Sequence, residues 1–155
     1  MKATYLFLLL GTLFLAACEH EKDPFVDRTA APVLLVFENA IGDGGGQTTE
    51  PTVTSKATGP ATLRIRVYEL DKTNILDHAQ GIDSLPVASL TMKLTTRTGT
   101  AIADLTTDAK GIATLSRPWS DFGITAPKVG TNVALVLSGK HKDQSFSKLA
   151  RLQAN

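Results

Sequence analysis

Residues 61–70 read Ala-Thr-Leu-Arg-Ile-Arg-Val-Tyr-Glu-Leu, and the fold class turns on this stretch. Leu63, Ile65 and Val67 fall on one face of an extended chain, Thr62, Arg64 and Arg66 on the other. A period of two with charged outer positions describes a half-buried antiparallel strand. Downstream, Leu90, Met92 and Leu94 alternate with Thr91, Lys93 and Thr95 in the same way. Thr98-Gly99 then marks a turn, residues 101–107 a strand, and Asp108-Ala109-Lys110-Gly111 a tight connection into a further strand from Ile112. A glycine in such a connection supplies the positive φ that short hairpin turns require. Residues 132–139 and 145–153 complete the series, and residues 32–38, Pro-Val-Leu-Leu-Val-Phe-Glu, are an apolar run of strand length. About seven short strands separated by turn residues, without an amphipathic helix, predict an all-β antiparallel sandwich. Residues 32–155 suffice for one such domain and not for two. Residues 42–60 are turn chemistry almost throughout and read as a flexible Gly/Thr-rich loop. Their triple glycine, Gly44 to Gly46, lacks the Lys-Ser/Thr pair of a phosphate cradle.

Residues 86–116 carry a resemblance. Pro86-Val87-Ala88, Gly99, Thr106-Thr107-Asp108, Gly111 and Ala113 are similar to the middle of bacterial immunoglobulin-like and prealbumin-like modules. These are the invasin-type repeat, the collagen-adhesin B-type repeat and the carboxypeptidase-regulatory-like domain. The likeness extends over roughly residues 61–152. Ser89 stands where those modules usually have glycine, and residues 71–85 are longer than their hairpin. The resemblance implies an immunoglobulin-like or prealbumin-like sandwich in which Asp108 and Gly111 form a turn.

The start of the chain gives an address. Ala3 to Ala17 are 15 residues without a charge, preceded by Lys2, too short for a comfortable bilayer span but of leader form. Leu15-Ala16-Ala17-Cys18 resembles the bacterial lipobox. That likeness implies removal of residues 1–17, a diacylglycerol on the Cys18 sulfur and acylation of the new amine. Several acyl chains hold a protein on a membrane stably, one only marginally. The other reading is an exported protein cleaved nearby with an incidental thiol. Residues 18–31 form a polar, Pro-interrupted tether. Its acidic cluster, Glu19, Glu21 and Asp23 with Lys22, is similar to the export signals of Bacteroidetes surface lipoproteins, or is simply a solvated spacer. The expected place is the outer membrane, lipid-anchored, with the cell surface favoured over the periplasmic face.

Charge and composition narrow the function classes. Loss of Lys2 with the leader reduces Lys+Arg from 16 to 15, equal to the 15 Asp+Glu. Nucleic-acid binding needs a basic footprint, so it is not expected. One cysteine allows no intramolecular disulfide and no thiolate zinc site. Two connections exceed what a sandwich needs. Residues 71–84 carry Asp71, Asp77, His78 and Asp83, and residues 117–130 carry Trp119, Asp121 and Phe122. Asp77 and His78 are candidate binding residues, with surface charge and a local Asx turn as the competing reading. The aspartates lack the close alternation that gathers carboxylates around calcium, so no metal and no cofactor is expected. Trp119 and Phe122 are candidates for an exposed platform for glycan or protein, or else plug the open end of the sandwich. The chain has no Gly-x-Ser-x-Gly elbow and no paired-histidine zinc motif. The expected function is a non-catalytic binding module held on the membrane through Cys18, its partner a protein or glycan of unknown identity. The alternatives are an accessory subunit of an outer-membrane complex and a loop-based hydrolase or metal-dependent enzyme.

Overall fold

Strand alternation in residues 61–70 is realised as far as Val67: Leu63, Ile65 and Val67 have no exposed surface, while Thr62 and Arg64 face solvent. A computed structural model describes residues 31–44 and 49–155. The leader, Cys18, the tether to residue 30, and Gly45 and Gly46 of the triple glycine lie outside the described residues. Residues 31–155 form one unit.

Among the described residues there are nine strands: β1 (Leu34–Phe37), β2 (Thr52–Ser55), β3 (Ala61–Asp71), β4 (Asp83–Pro86), β5 (Thr91–Thr96), β6 (Ala101–Thr106), β7 (Ile112–Arg117), β8 (Asn132–His141) and β9 (Gln144–Ala154). They make two sheets, an all-β sandwich. In the first, β3 is central, with β1 along one side and β4 and β7 along the other. β7 pairs with the first half of β3 and β4 with its last four residues, so β4 and β7 lie end to end. The second sheet has the order β2-β9-β8-β5-β6. β2 runs parallel to β9, and the other named pairs are antiparallel.

The expectation of about seven strands therefore falls short by two. β2 lies inside the stretch expected to be one flexible loop. Its four residues, between Pro51 and a run of turn residues, were too short for a period to be read, yet Val53 is fully buried. β4 is exposed at all four positions, so it has no apolar face to betray it and is held by its ladder to β3. Residues 32–38 join the sandwich: Leu35 and Phe37 are buried and β1 pairs with Tyr68 to Ile65.

The core sits between the sheets. β5 sends in Met92 and Leu94, with Leu90 just before it, β8 Leu135 and Leu137, and β9 Ala150, Leu152 and Ala154. Opposite them lie Leu35, Phe37, Ala61, Leu63, Ile65, Val67, Ala113 and Leu115. A shared crossing from β6 to β7 locks the sheets together. Thr107, 4% exposed, donates its hydroxyl to the Val87 carbonyl (2.7 Å) and accepts the Leu90 N–H (2.8 Å). Asp108 accepts the N–H groups of Ile112 and Lys110, which hold its carboxyl below the usual aspartate range. Gly111 has φ 72°, and a Cβ there would lie 2.6 Å from the Val67 carbonyl oxygen. Ser89, at the position the resemblance gives to glycine, also has positive φ, 57°. A serine tolerates that region at a modest energetic cost that glycine avoids.

Candidate functional site

Strand directions sort the loops into two ends. β1 is antiparallel to β3 with Leu34 opposite Tyr68, so the chain enters the domain beside the β3–β4 hairpin. The β8–β9 turn is at this end too, because His141 Nε2 lies 3.1 Å from the Glu69 carboxylate. Lys142 Nζ binds the other Glu69 oxygen. Lys142 first, then His141, hold the Glu69 carboxyl below the ordinary glutamate range. The opposite end collects residues 56–60, the 97–100 hairpin and the long connection from β7 to β8.

Trp119 and Phe122 stand at that opposite end. Pro118, with φ −61°, leads into a 3-10 helix, Trp119–Phe122, and Gly123 at φ 79° ends it. Proline fixes the entry angle and glycine tolerates the left-handed exit. The ring centroids are 6.3 Å apart at 58°, and the Trp119 indole N–H donates to the Lys56 carbonyl at 3.1 Å. The two side chains are 4% and 2% exposed, so the expectation of an exposed aromatic platform is not met. They close the end of the sandwich, because burying two large rings with the one indole donor satisfied outweighs any gain from leaving them in water.

What remains accessible around them is shallow. One hollow of about 470 Å³ is bordered by Ala57, Gly59, Pro60, Pro118, Ile124 and Pro127, with Trp119 at its base. A second, of about 410 Å³, lies between Thr96 to Thr100 and Phe122, Gly123 and Asn132 to Ala134. The first is mostly apolar and stiffened by three prolines. The second offers hydroxyls and the Arg97 guanidinium, which is itself paired with Glu50 at 2.9 Å.

Asp77 and His78 lie at the end where the chain enters, in the connection from β3 to β4, and both are exposed. Asp77 Oδ1 accepts the Ala79 N–H at 2.9 Å, and the Asp77 carbonyl accepts from Gln80 and Gly81. The carboxylate is thus engaged in an Asx turn. The structure does not bring Asp77 and His78 together with Trp119 and Phe122, since the two pairs sit at opposite ends. Among the described residues, no group of three His, Cys, Asp or Glu is placed to hold a metal ion. None of their helices is long and apolar enough to cross a membrane.

The β3–β4 hairpin carries a further feature, one of apolar exposure and not of charge. Ile75, Leu76, Ile82 and Leu85 are exposed by 52%, 97%, 45% and 49%. The clue was available, since Ile75-Leu76 is an apolar pair inside an otherwise polar loop. Compared with known proteins, the chain matches no family model, no curated protein and no solved structure.

Proposed function

We propose that this chain is a lipid-anchored protein of the outer membrane that presents an immunoglobulin-like sandwich as a non-catalytic binding module. The observation that carries the reading is the separation of ends. The chain enters beside the β3–β4 hairpin, while the rigid hollows bordered by Pro60, Pro118 and Pro127 and by Thr96 to Thr100 open at the far end. An anchor on Cys18 would then hold one end toward the membrane and present the other to a partner, a protein or a glycan. Tethering raises the local concentration of such a surface without adding any contact. The immunoglobulin-like subtype draws support from strand order. The grouping β1-β3-β7 opposite β9-β8-β5-β6 parallels the A-B-E and G-F-C-C′ sheets of that fold. Binding on a rigid end is the role, and the cell-surface face is the favoured placement.

The test is protease shaving of intact cells that express a C-terminally tagged chain, beside a Cys18→Ala form. Loss of the tag from intact wild-type cells supports display at the surface. Protection until the outer membrane is broken moves the module to the periplasm. Identical membrane fractionation of the Cys18→Ala form overturns the anchor itself.

A specific feature favours one second reading, an accessory subunit that docks by strand addition. β6 is six residues long and has a partner strand, β5, on one side only. Open edges of that kind accept a further strand. Stoichiometric recovery of one envelope protein, lost when Ile102 is replaced by proline, would favour it over the first reading.

A further inference from the structure

Of the seven large apolar side chains that are well exposed among the described residues, four belong to one hairpin: Ile75, Leu76, Ile82 and Leu85. Scattered exposed leucines need no explanation, but a cluster at one projecting tip does. The tip is not a slack loop. Asp71 accepts the backbone N–H and hydroxyl of Thr73, Ile75 N–H donates to the Lys72 carbonyl, and Asp77 N–H donates to the Asn74 carbonyl. Successive turns therefore engage the N–H groups of Thr73, Ile75 and Asp77, and Leu76 between them is 97% exposed. At the base, the contacts of Glu69 with His141 and Lys142 brace the hairpin against the β8–β9 turn.

The place where the chain enters identifies what covers this tip. Leu34 lies opposite Tyr68, the residue from which β3 and β4 run out into the hairpin. Between Cys18 and Ala31 lie residues 19–30, which reach at most about 40 Å when extended. A random coil of that length spans roughly 20 Å. A lipid on Cys18 therefore keeps this end of the domain within reach of the bilayer. We infer that the Ile75-Leu76 tip, flanked by Ile82 and Leu85, inserts into the surface of the membrane that holds the anchor and so fixes the orientation of the domain. This inference rests on the lipid anchor proposed above. The surrounding charge is mixed, with Lys72, His78, Lys140 and Lys142 beside Glu69, Asp71, Asp77, Asp83 and Asp143. The contact is accordingly apolar in origin and indifferent to anionic lipid.

The experiment uses the lipidated full chain on vesicles of phosphatidylethanolamine and phosphatidylglycerol. Leu76→Cys is compared with Val129→Cys, an apolar side chain 79% exposed in the connection at the far end. Both sites are too exposed for the change to disturb folding. Thiol counting comes first: one reactive thiol per chain means that the Cys18 sulfur is acylated, and two mean that the anchor reading has failed, whatever the tip does. With one thiol, a polar maleimide should alkylate position 76 about tenfold more slowly than position 129, as for a site open a tenth of the time. Adding Ile75→Asp should return position 76 to the rate of position 129. Equal rates at the two positions in a singly reactive chain overturn the inference. So does slowing that disappears in phosphatidylcholine vesicles, or slowing that requires envelope proteins, since the covering surface is then anionic lipid alone or a protein.

Discussion

The two long connections of this sandwich, residues 72–82 and 118–131, have opposite fates. The first projects into solvent with Leu76 almost wholly exposed, and the second folds back so that Trp119 and Phe122 are almost wholly buried. Both are rich in turn residues, and both interrupt the strand alternation. The difference lies in where each begins. The 118–131 connection leaves β7 at the level of Ala61 and Arg117, where the open core between the sheets can receive two rings. The 72–82 connection leaves β3 after Asp71, beyond the last core residue of that strand, Val67, so its apolar side chains have no interior to enter.

The largest test of that contrast is truncation in each connection. Trp119→Ala should lower stability by about 3–5 kcal/mol, through lost burial and a cavity. Leu76→Ala should stay within about 0.5 kcal/mol of wild type. Urea unfolding of the two variants measures the gap, and comparable losses would mean that the hairpin is packed after all. Gly111 and Gly81 sharpen the comparison. Their φ angles, 72° and 68°, are alike, but a Cβ at Gly111 meets the Val67 carbonyl at 2.6 Å whereas one at Gly81 meets nothing within 4 Å. Alanine at either position carries the left-handed penalty of about 1–2 kcal/mol. Only Gly111→Ala should add the cost of displacing packed backbone, about 1–3 kcal/mol more. Equal denaturation midpoints would show that the β6–β7 crossing yields more easily than its contacts imply.

The smallest effect concerns the brace under the hairpin. Because the Glu69 carboxyl is held below its ordinary range in the fold, its contribution is complete above that range and is lost as pH falls through the lowered value. The wild type should therefore lose slightly more thermal stability on acidification below pH ~4 than Glu69→Gln does. Parallel melting curves across that interval would place the brace outside the folding equilibrium.

The fold was legible wherever burial imposes a period. Leu63-Ile65-Val67 and Leu90-Met92-Leu94 announce their strands because each alternate side chain must enter the core. Asp108 and Gly111 announce their turn because a carboxylate two and four residues before backbone donors has a local partner. β2 and β4 were illegible for the complementary reason. Four residues, one of them a deeply buried valine in β2 and none buried in β4, cannot establish a period, and both strands owe their existence to distant ladders. That Trp119 and Phe122 plug an end of the sandwich was legible from their size, but which end they close was not, since local sequence does not say which end of the core is open. The exposed tip at Leu76 is harder still, because exposure depends on where β3 outruns its neighbours.

β9 lies between β2 and β8 in the five-stranded sheet, and its last residues pair with Thr52 to Ser55, about a hundred positions earlier in the chain. A chain that stopped before Gln144 would have no partner for β2 in this sheet and would leave one edge of β8 unpaired. Closure of a loop that long makes folding slow relative to local hairpin formation. On the proposed export route, a sheet that closes late would keep the chain threadable through a translocation pore until β9 has been made.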